Sequence, residues 1–167
     1  MAPRNDVEID IEVESCADSN PFEYNLSNSS KYTFKYVMAH ISTEEDAVRY
    51  CMDVGLIKNK FECPKCSLSM HESLSYESDG TFVARWRCGR KNCNVDRSMR
   101  SGSFFKGSKL KWTTLVHLLW CWSAREPVTS AYQKAGCDKK TAIDWYQFCR
   151  DVCSREMGSI SLQVNVT

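Results

Sequence analysis

The chain has 167 residues, 43% hydrophobic and 26% charged, with a formal net charge of +1, enough for one domain or two small ones. No run approaches the roughly eighteen apolar residues of a membrane span, and the opening MAPRNDVEIDIEVES is acidic and does not read as a secretory signal. Ten cysteines in such a chain point to a reducing compartment, where paired cysteines hold metal more often than they form disulfides.

The charge is unevenly distributed. Residues 1–60 carry eleven acids against six bases, and the remainder carries ten against sixteen, which describes an acidic extension on a basic body suited to a polyanionic partner. Residues 1–30 read as an acidic, mostly disordered tail, with a weak strand in the alternation of Val7, Ile9, Ile11 and Val13. Ser42-Thr43-Glu44-Glu45 predicts a capping box with Ser42 as N-cap. It opens a helix over 42–57, in which Val48, Cys51, Met52 and Leu56 recur at helical spacing and Gly55 supplies the stop. Cys51 is expected in the core.

Residues 61–109 read as short strands and turns. Ser78-Asp79-Gly80 is a turn signal, and Phe82, Ala84 and Trp86 alternate with Val83, Arg85 and Arg87 as in a strand with one solvated face. This segment holds Cys63-Pro64-Lys65-Cys66 and, 21 residues later, Cys88-Gly89-Arg90-Lys91-Asn92-Cys93. Two close pairs separated by a hairpin's length suit a tetrahedral four-thiolate zinc site. The ligands would be Cys63, Cys66, Cys88 and Cys93, holding one structural Zn²⁺, with Lys65, Arg90 and Lys91 favouring thiolate. Two disulfides or unrelated buried thiols are the alternatives. His71 reads as a surface-loop histidine.

Residues 110–157 form the helical part. The first helix is expected from Leu110 to about Arg125, with a stripe of Trp112, Leu115, Val116, Leu119 and Trp120 and with Pro127 closing it. A short helix, Val128 to Ala135, ends at Gly136. A longer one starts on Asp138 as N-cap and runs to about Met157, with a stripe of Trp145, Phe148, Cys149, Val152 and Cys153. Cys121, Cys149 and Cys153 read as core. The last two helices have helix-turn-helix proportions, so that Lys139, Lys140, Thr141 and Asp144 would face DNA while Ala142, Trp145, Phe148 and Cys149 pack inward; a plain packed hairpin is the alternative. Residues 158–167 read as a C-terminal tail, with SISLQVNVT a lone strand.

Between Arg85 and Trp112 stand nine bases, Arg85, Arg87, Arg90, Lys91, Arg97, Arg100, Lys106, Lys109 and Lys111, against Asp96 alone. A charged run is commonly a solvated face, but this density suits phosphates. Ser101, Ser103, Ser108 and the amides of Gly102 and Gly107 add phosphate-contact chemistry. The interleaved Trp86, Phe104, Phe105 and Trp112 are assigned to the ribbon's small core, with base stacking as the alternative. The fold class is therefore α+β: a four-cysteine zinc ribbon of short antiparallel strands packed with a helical helix-turn-helix unit.

The order CPKC…WRCGRKNC, then RSGSFFKGSKLKW, then SAYQKAGCDKKTAIDWYQFCRDVC resembles the N-terminal part of Merlin-type transposases and their bacterial insertion-sequence relatives, over about Ser42 to Met157. The resemblance implies zinc on the four cysteines and a third helix contacting terminal inverted repeats. In that family a later RNase H-like domain with a carboxylate triad cuts and joins DNA. Here no acidic residue follows Glu156, so the expectation is a DNA-binding module without its own catalysis. Double-stranded DNA is the expected partner, joined by a catalytic transposase subunit or a second copy, with no membrane and no small-molecule substrate. The compartment is the nucleus in a eukaryotic host and otherwise the cell interior. A zinc-ribbon adaptor anchoring a protein through Trp112, Trp120 and Trp122 is the competing reading.

Overall fold

The structure, a computed structural model, describes residues 32–159. The expected acidic tail with its weak strand, and the strand expected after Ser159, lie outside the described residues.

The first element is a helix that the sequence pattern does not announce. α1 (Phe34–Ala39) is six residues long, with Thr33 as N-cap accepting from the Tyr36 amide. It is too short, and too rich in aromatic and β-branched residues, to show a helical period. Phe34 meets Trp120 edge-on at 4.8 Å between centroids. α2 (Glu44–Asp53) follows.

The expected capping box is present one residue later than predicted. Thr43 is the N-cap and Asp46 its partner, with the Asp46 carboxylate accepting from the Thr43 amide at 3.2 Å and hydroxyl at 2.7 Å. Ser42 is diverted because its hydroxyl donates to the Ala39 carbonyl and finishes α1. Val48 and Cys51 are fully buried, as expected.

The ribbon is an antiparallel sheet of β1 (Met70–Tyr76), β2 (Phe82–Cys88) and β3 (Asp96–Ser98), in that order. The register of β1 with β2 runs from Met70 opposite Cys88 to Tyr76 opposite Phe82. The predicted turn closes the hairpin, with Gly80 at φ +81° and the Thr81 amide donating to Asp79 at 2.8 Å. Ala84 and Trp86 face inward and Arg85 and Arg87 outward, the predicted alternation. His71 lies on β1, not in a loop, beside Gly89.

The helical part comprises α3 (Trp112–Ser123), α4 (Val128–Ala135) and α5 (Lys139–Ser159). Pro127 does not close α3. That helix stops at Ala124, Arg125 takes φ +58°, and Pro127 is the N-cap of α4, where its fixed φ costs nothing. Gly136 ends α4 at φ +65°, a conformation glycine adopts without penalty. Asp138 caps α5 as expected: its carboxylate accepts from the Thr141 amide at 2.9 Å and from the Thr141 hydroxyl, which holds that carboxyl below its ordinary range.

The buried face of α5 is rotated from the predicted stripe. Ala142 and Cys149 are buried and Trp145 half-buried, as expected, but Tyr146 is buried as well, whereas Phe148 is 39% exposed and Cys153 is exposed. Tyr146 turns inward because its hydroxyl donates to the Glu126 carbonyl at 3.1 Å. Beyond Cys149 the helix has little to pack against, which removes Cys153 from the core.

Ribbon and helices share one core. Val37 of α1, Val48 of α2, Trp86 of β2, and Phe105, Trp112 and Leu115 belong to a single buried cluster that also contains Cys63 and Cys93. One polar contact locks this arrangement. α3 has no capping side chain of its own at Lys111. Glu44 of α2 supplies it, accepting from the amides of Trp112 at 2.7 Å and Thr113 at 3.2 Å and from the Thr113 hydroxyl at 2.6 Å. An anion at a helix N-terminus also opposes the helix dipole. Glu44→Ala is expected to cost about 1–2 kcal/mol, read as a lower denaturant midpoint with an unchanged m-value, whereas Glu45→Ala, whose partner is the exposed Arg49, should cost under about 1 kcal/mol.

Candidate metal centre and nucleic-acid interface

The four predicted cysteines converge. All Sγ atoms of Cys63, Cys66, Cys88 and Cys93 lie within 4.8 Å of one another. Cys66 and Cys88 are 3.5 Å apart, Cys63 and Cys93 3.6 Å, and Cys66 and Cys93 3.8 Å. Four thiolates bound tetrahedrally at about 2.3 Å would sit about 3.8 Å from each other, so the spacing fits a metal ion. It is too long for sulfur–sulfur bonds, and all four cysteines are free, which disposes of the disulfide alternative.

Two backbone turns shape the cluster. The Ser67 amide donates to the Cys63 carbonyl at 2.8 Å, and the Cys63 amide to the Leu68 carbonyl at 2.9 Å. On the other side the Cys93 amide donates to the Arg90 carbonyl and the Cys88 amide to the Val95 carbonyl, both at 3.0 Å. Ser67, Asn92 and Asn94 adopt positive φ to wrap these turns.

The electrostatics suit a cation. Desolvation opposes charge on Cys63, but the amides of Lys65 and Cys66 and the neighbouring sulfurs outweigh it and bring the thiol down to about 6. Desolvation and the sharing of protons with the other three sulfurs push Cys93 up to about 12. The help for Cys63 comes from backbone N–H groups, not from the side-chain charge of Lys65 as expected.

The nine bases do not form one face. The Arg100 guanidinium points inward, donating to the Ser108 carbonyl at 2.9 Å and the Leu110 carbonyl at 2.6 Å and lying 4.3 Å from the Trp112 ring centroid. It closes the loop 99–110 and is not a surface charge, contrary to its assignment as a DNA contact. Arg85 and Arg87 flank Asp96 at 3.4 and 3.6 Å, which halves the charge there. Arg97 pairs in register with Trp86, so it lies on the opposite face of the sheet from those two. Arg90 and Lys91 are exposed at the second cysteine turn. The loop serines are also partly engaged, since Ser103 and Ser108 hydroxyls accept from the Phe105 and Leu110 amides at 3.2 Å each.

Removing the Arg100 clamp should therefore act on stability. Arg100→Gln is expected to lower stability by about 2–4 kcal/mol, since it leaves two carbonyls short of a charged donor and uncovers Trp112. Thermal unfolding of this variant beside Arg97→Gln, expected within about 0.5 kcal/mol of the parent, checks the distinction.

The remaining lysines gather at the helical end. Lys106 and Lys109 line an open groove of about 460 Å³ together with Thr141, Asp144, Trp145 and Phe148 of α5. Lys109 and Lys111 line an adjoining concavity with Lys134 of α4 and Asp138. Lys139 and Lys140 are exposed in the first turn of α5. Chain segments some thirty residues apart are thus brought to one surface. Lys134, in the last turn of α4, is not a free cation there, because both Glu126 carboxylate oxygens accept from its ammonium at 2.7 and 2.8 Å. Phe104 lies at the edge of the shared core, against Phe105, and also packs on α5, 4.7 Å from Phe148.

Comparison of the chain with models of protein families, with curated proteins and with solved structures finds no match. Among the described residues no helix is long and apolar enough to cross a membrane.

Proposed function

We propose that this chain is a DNA-binding module of transposase-derived type that recognises duplex DNA without cutting it. The observation that supports the reading is the shared surface of Lys106, Lys109 and Lys111 with the first turn of α5. In a helix-turn-helix, α4 would lie across the backbone and α5 would present its N-terminal residues to the major groove. The three-residue turn Gly136-Cys137-Asp138 between these helices suits that unit. Lys106, Lys109 and Lys111 would hold the flanking phosphates together with Lys139 and Lys140.

The metal on this reading is zinc. Cys63, Cys66, Cys88 and Cys93 would hold it in a closed shell, whose chemistry is structural cross-linking with no open position for a substrate. The finer expectations go with it: terminal inverted repeats as the target, a catalytic subunit or second copy as partner, and the nucleus as the compartment in a eukaryotic host.

The adaptor reading asks for partly exposed tryptophans, and two of the three meet it. Trp112 is buried at 2% exposure and Trp120 and Trp122 are partly exposed.

The test is anisotropy of a labelled random duplex with the zinc-loaded chain across a salt series. Binding at low salt that falls linearly on a log–log plot is expected. No affinity for any duplex at 50 mM salt or so would end the reading.

A further inference from the structure

We propose that the groove between the 104–110 loop and α5 receives an unpaired nucleobase of the bound DNA. This inference rests on the DNA-binding reading and adds a ligand element to it.

The groove has two kinds of wall. Phe104, Leu110, Trp145 and Phe148 give it apolar lining, and Lys106 and Lys109 line it beside them. Its volume of about 460 Å³ falls in the range of pockets that hold small flat ligands. Phe104 and Phe148 lie tilted against each other, 4.7 Å apart at 33°, and Trp145 meets Phe148 edge-on at 5.6 Å and 83°.

Phe148 is not needed by the core. The buried side of α5 is Ala142, Tyr146 and Cys149, and Phe148 remains 39% exposed. Its ring lies beside Phe104 and Trp145, so the aromatic surface open to a ligand is continuous rather than a single side chain.

A fully paired duplex offers such a surface phosphates and base edges but no ring faces. An unpaired base offers its face to the aromatics while its own phosphates rest on Lys106 and Lys109. Stacking of this kind is the common device of single-strand recognition. Thr141 and Asp144 stand on the same wall. A carboxylate there can accept from the amino group of cytosine or adenine. Charge complementarity therefore selects a nucleic-acid strand over an apolar peptide as the occupant.

The experiment compares two zinc-loaded complexes. One uses a fully paired duplex and the other the same duplex with a single unpaired 2-aminopurine, placed in turn along the site. The parent chain is expected to bind the second about tenfold more tightly at the best position, with the 2-aminopurine fluorescence quenched on binding. Phe148→Ala should abolish the preference and the quenching while keeping affinity for the paired duplex, and Phe148→Trp should restore both.

Equal affinity for the two duplexes without quenching at any position would overturn the proposal, and so would a Phe148→Ala variant that keeps the quenching. A mononucleotide competing as well as the strand would overturn the strand as occupant. Failure to bind either duplex would instead remove the DNA-binding reading itself, so the two failures are distinguishable. Quenching in the parent chain tests the proposal even if Phe148→Ala fails to fold.

Discussion

Stripping the metal is expected to unfold the ribbon and to take the helical core with it. Cys63 and Cys93 are 1% and 8% exposed and lie in the same buried cluster as Trp86, Phe105 and Trp112. The sheet that carries them is small: two strands of seven residues and one of three. A sheet of that size is marginal in water without a staple. A structural zinc contributes about 10–16 kcal/mol in small metal-dependent folds, as much as the whole stability of a typical domain, about 5–15 kcal/mol. Without it, nothing cross-links the two cysteine turns, Cys63–Cys66 and Cys88–Cys93, that the ion would join.

The expected result is one zinc per chain in native mass spectrometry, lost with chelator, together with collapse of the near-ultraviolet circular dichroism from the tryptophans. Cys93→Ser should reproduce that collapse even with excess zinc. Cys153→Ser, at an exposed position of α5, should change neither observable. A chelated chain that keeps its tertiary signal and melting temperature would show that the cysteines are cross-linked by nothing the fold depends on.

The second large effect concerns binding. Neutralising Lys106, Lys109 and Lys111 together, each to Gln, should lower the log–log salt slope by about 2.7, or about 0.9 for each phosphate left without its cation. At about 0.1 M salt that corresponds to two to three powers of ten in affinity. Stability should be nearly unchanged, because all three side chains are exposed and none makes an ion pair among the described residues. The matched variant Arg85→Gln with Arg87→Gln removes charges already set against Asp96 and should shift the slope by clearly less. An unchanged slope in the triple variant would remove the 106–111 loop from the interface. The sign of the effect separates this loop from Arg100, whose loss should lower stability before it lowers affinity.

Much of this architecture could be read from local signals. The Cys-x-x-Cys spacing, the alternation around Trp86, the Ser-Asp-Gly turn and the Gly136–Asp138 corner each depend on residues close in the chain, and each lies where expected. The errors arose where neighbouring elements compete for the same group. Ser42 looked like a cap but was claimed by the end of α1. Arg100 looked like a surface charge, yet two carbonyls eight and ten residues ahead of it and the Trp112 ring supply its partners. Phe148 fitted the helical stripe, but Tyr146 took the inward position because the Glu126 carbonyl was there to accept its hydroxyl.

Residues close together in the chain were thus enough to specify the four cysteines of the metal centre, the ribbon hairpin and the order of the helices, because thiol spacing, pleat alternation and capping chemistry act over short range. Which charges are free to meet a partner emerged only when distant segments packed. Whether a cation is surface or scaffold depends on the carbonyls, rings and carboxylates that those segments bring to it, as the fates of Arg100, Arg85 and Lys106 demonstrate.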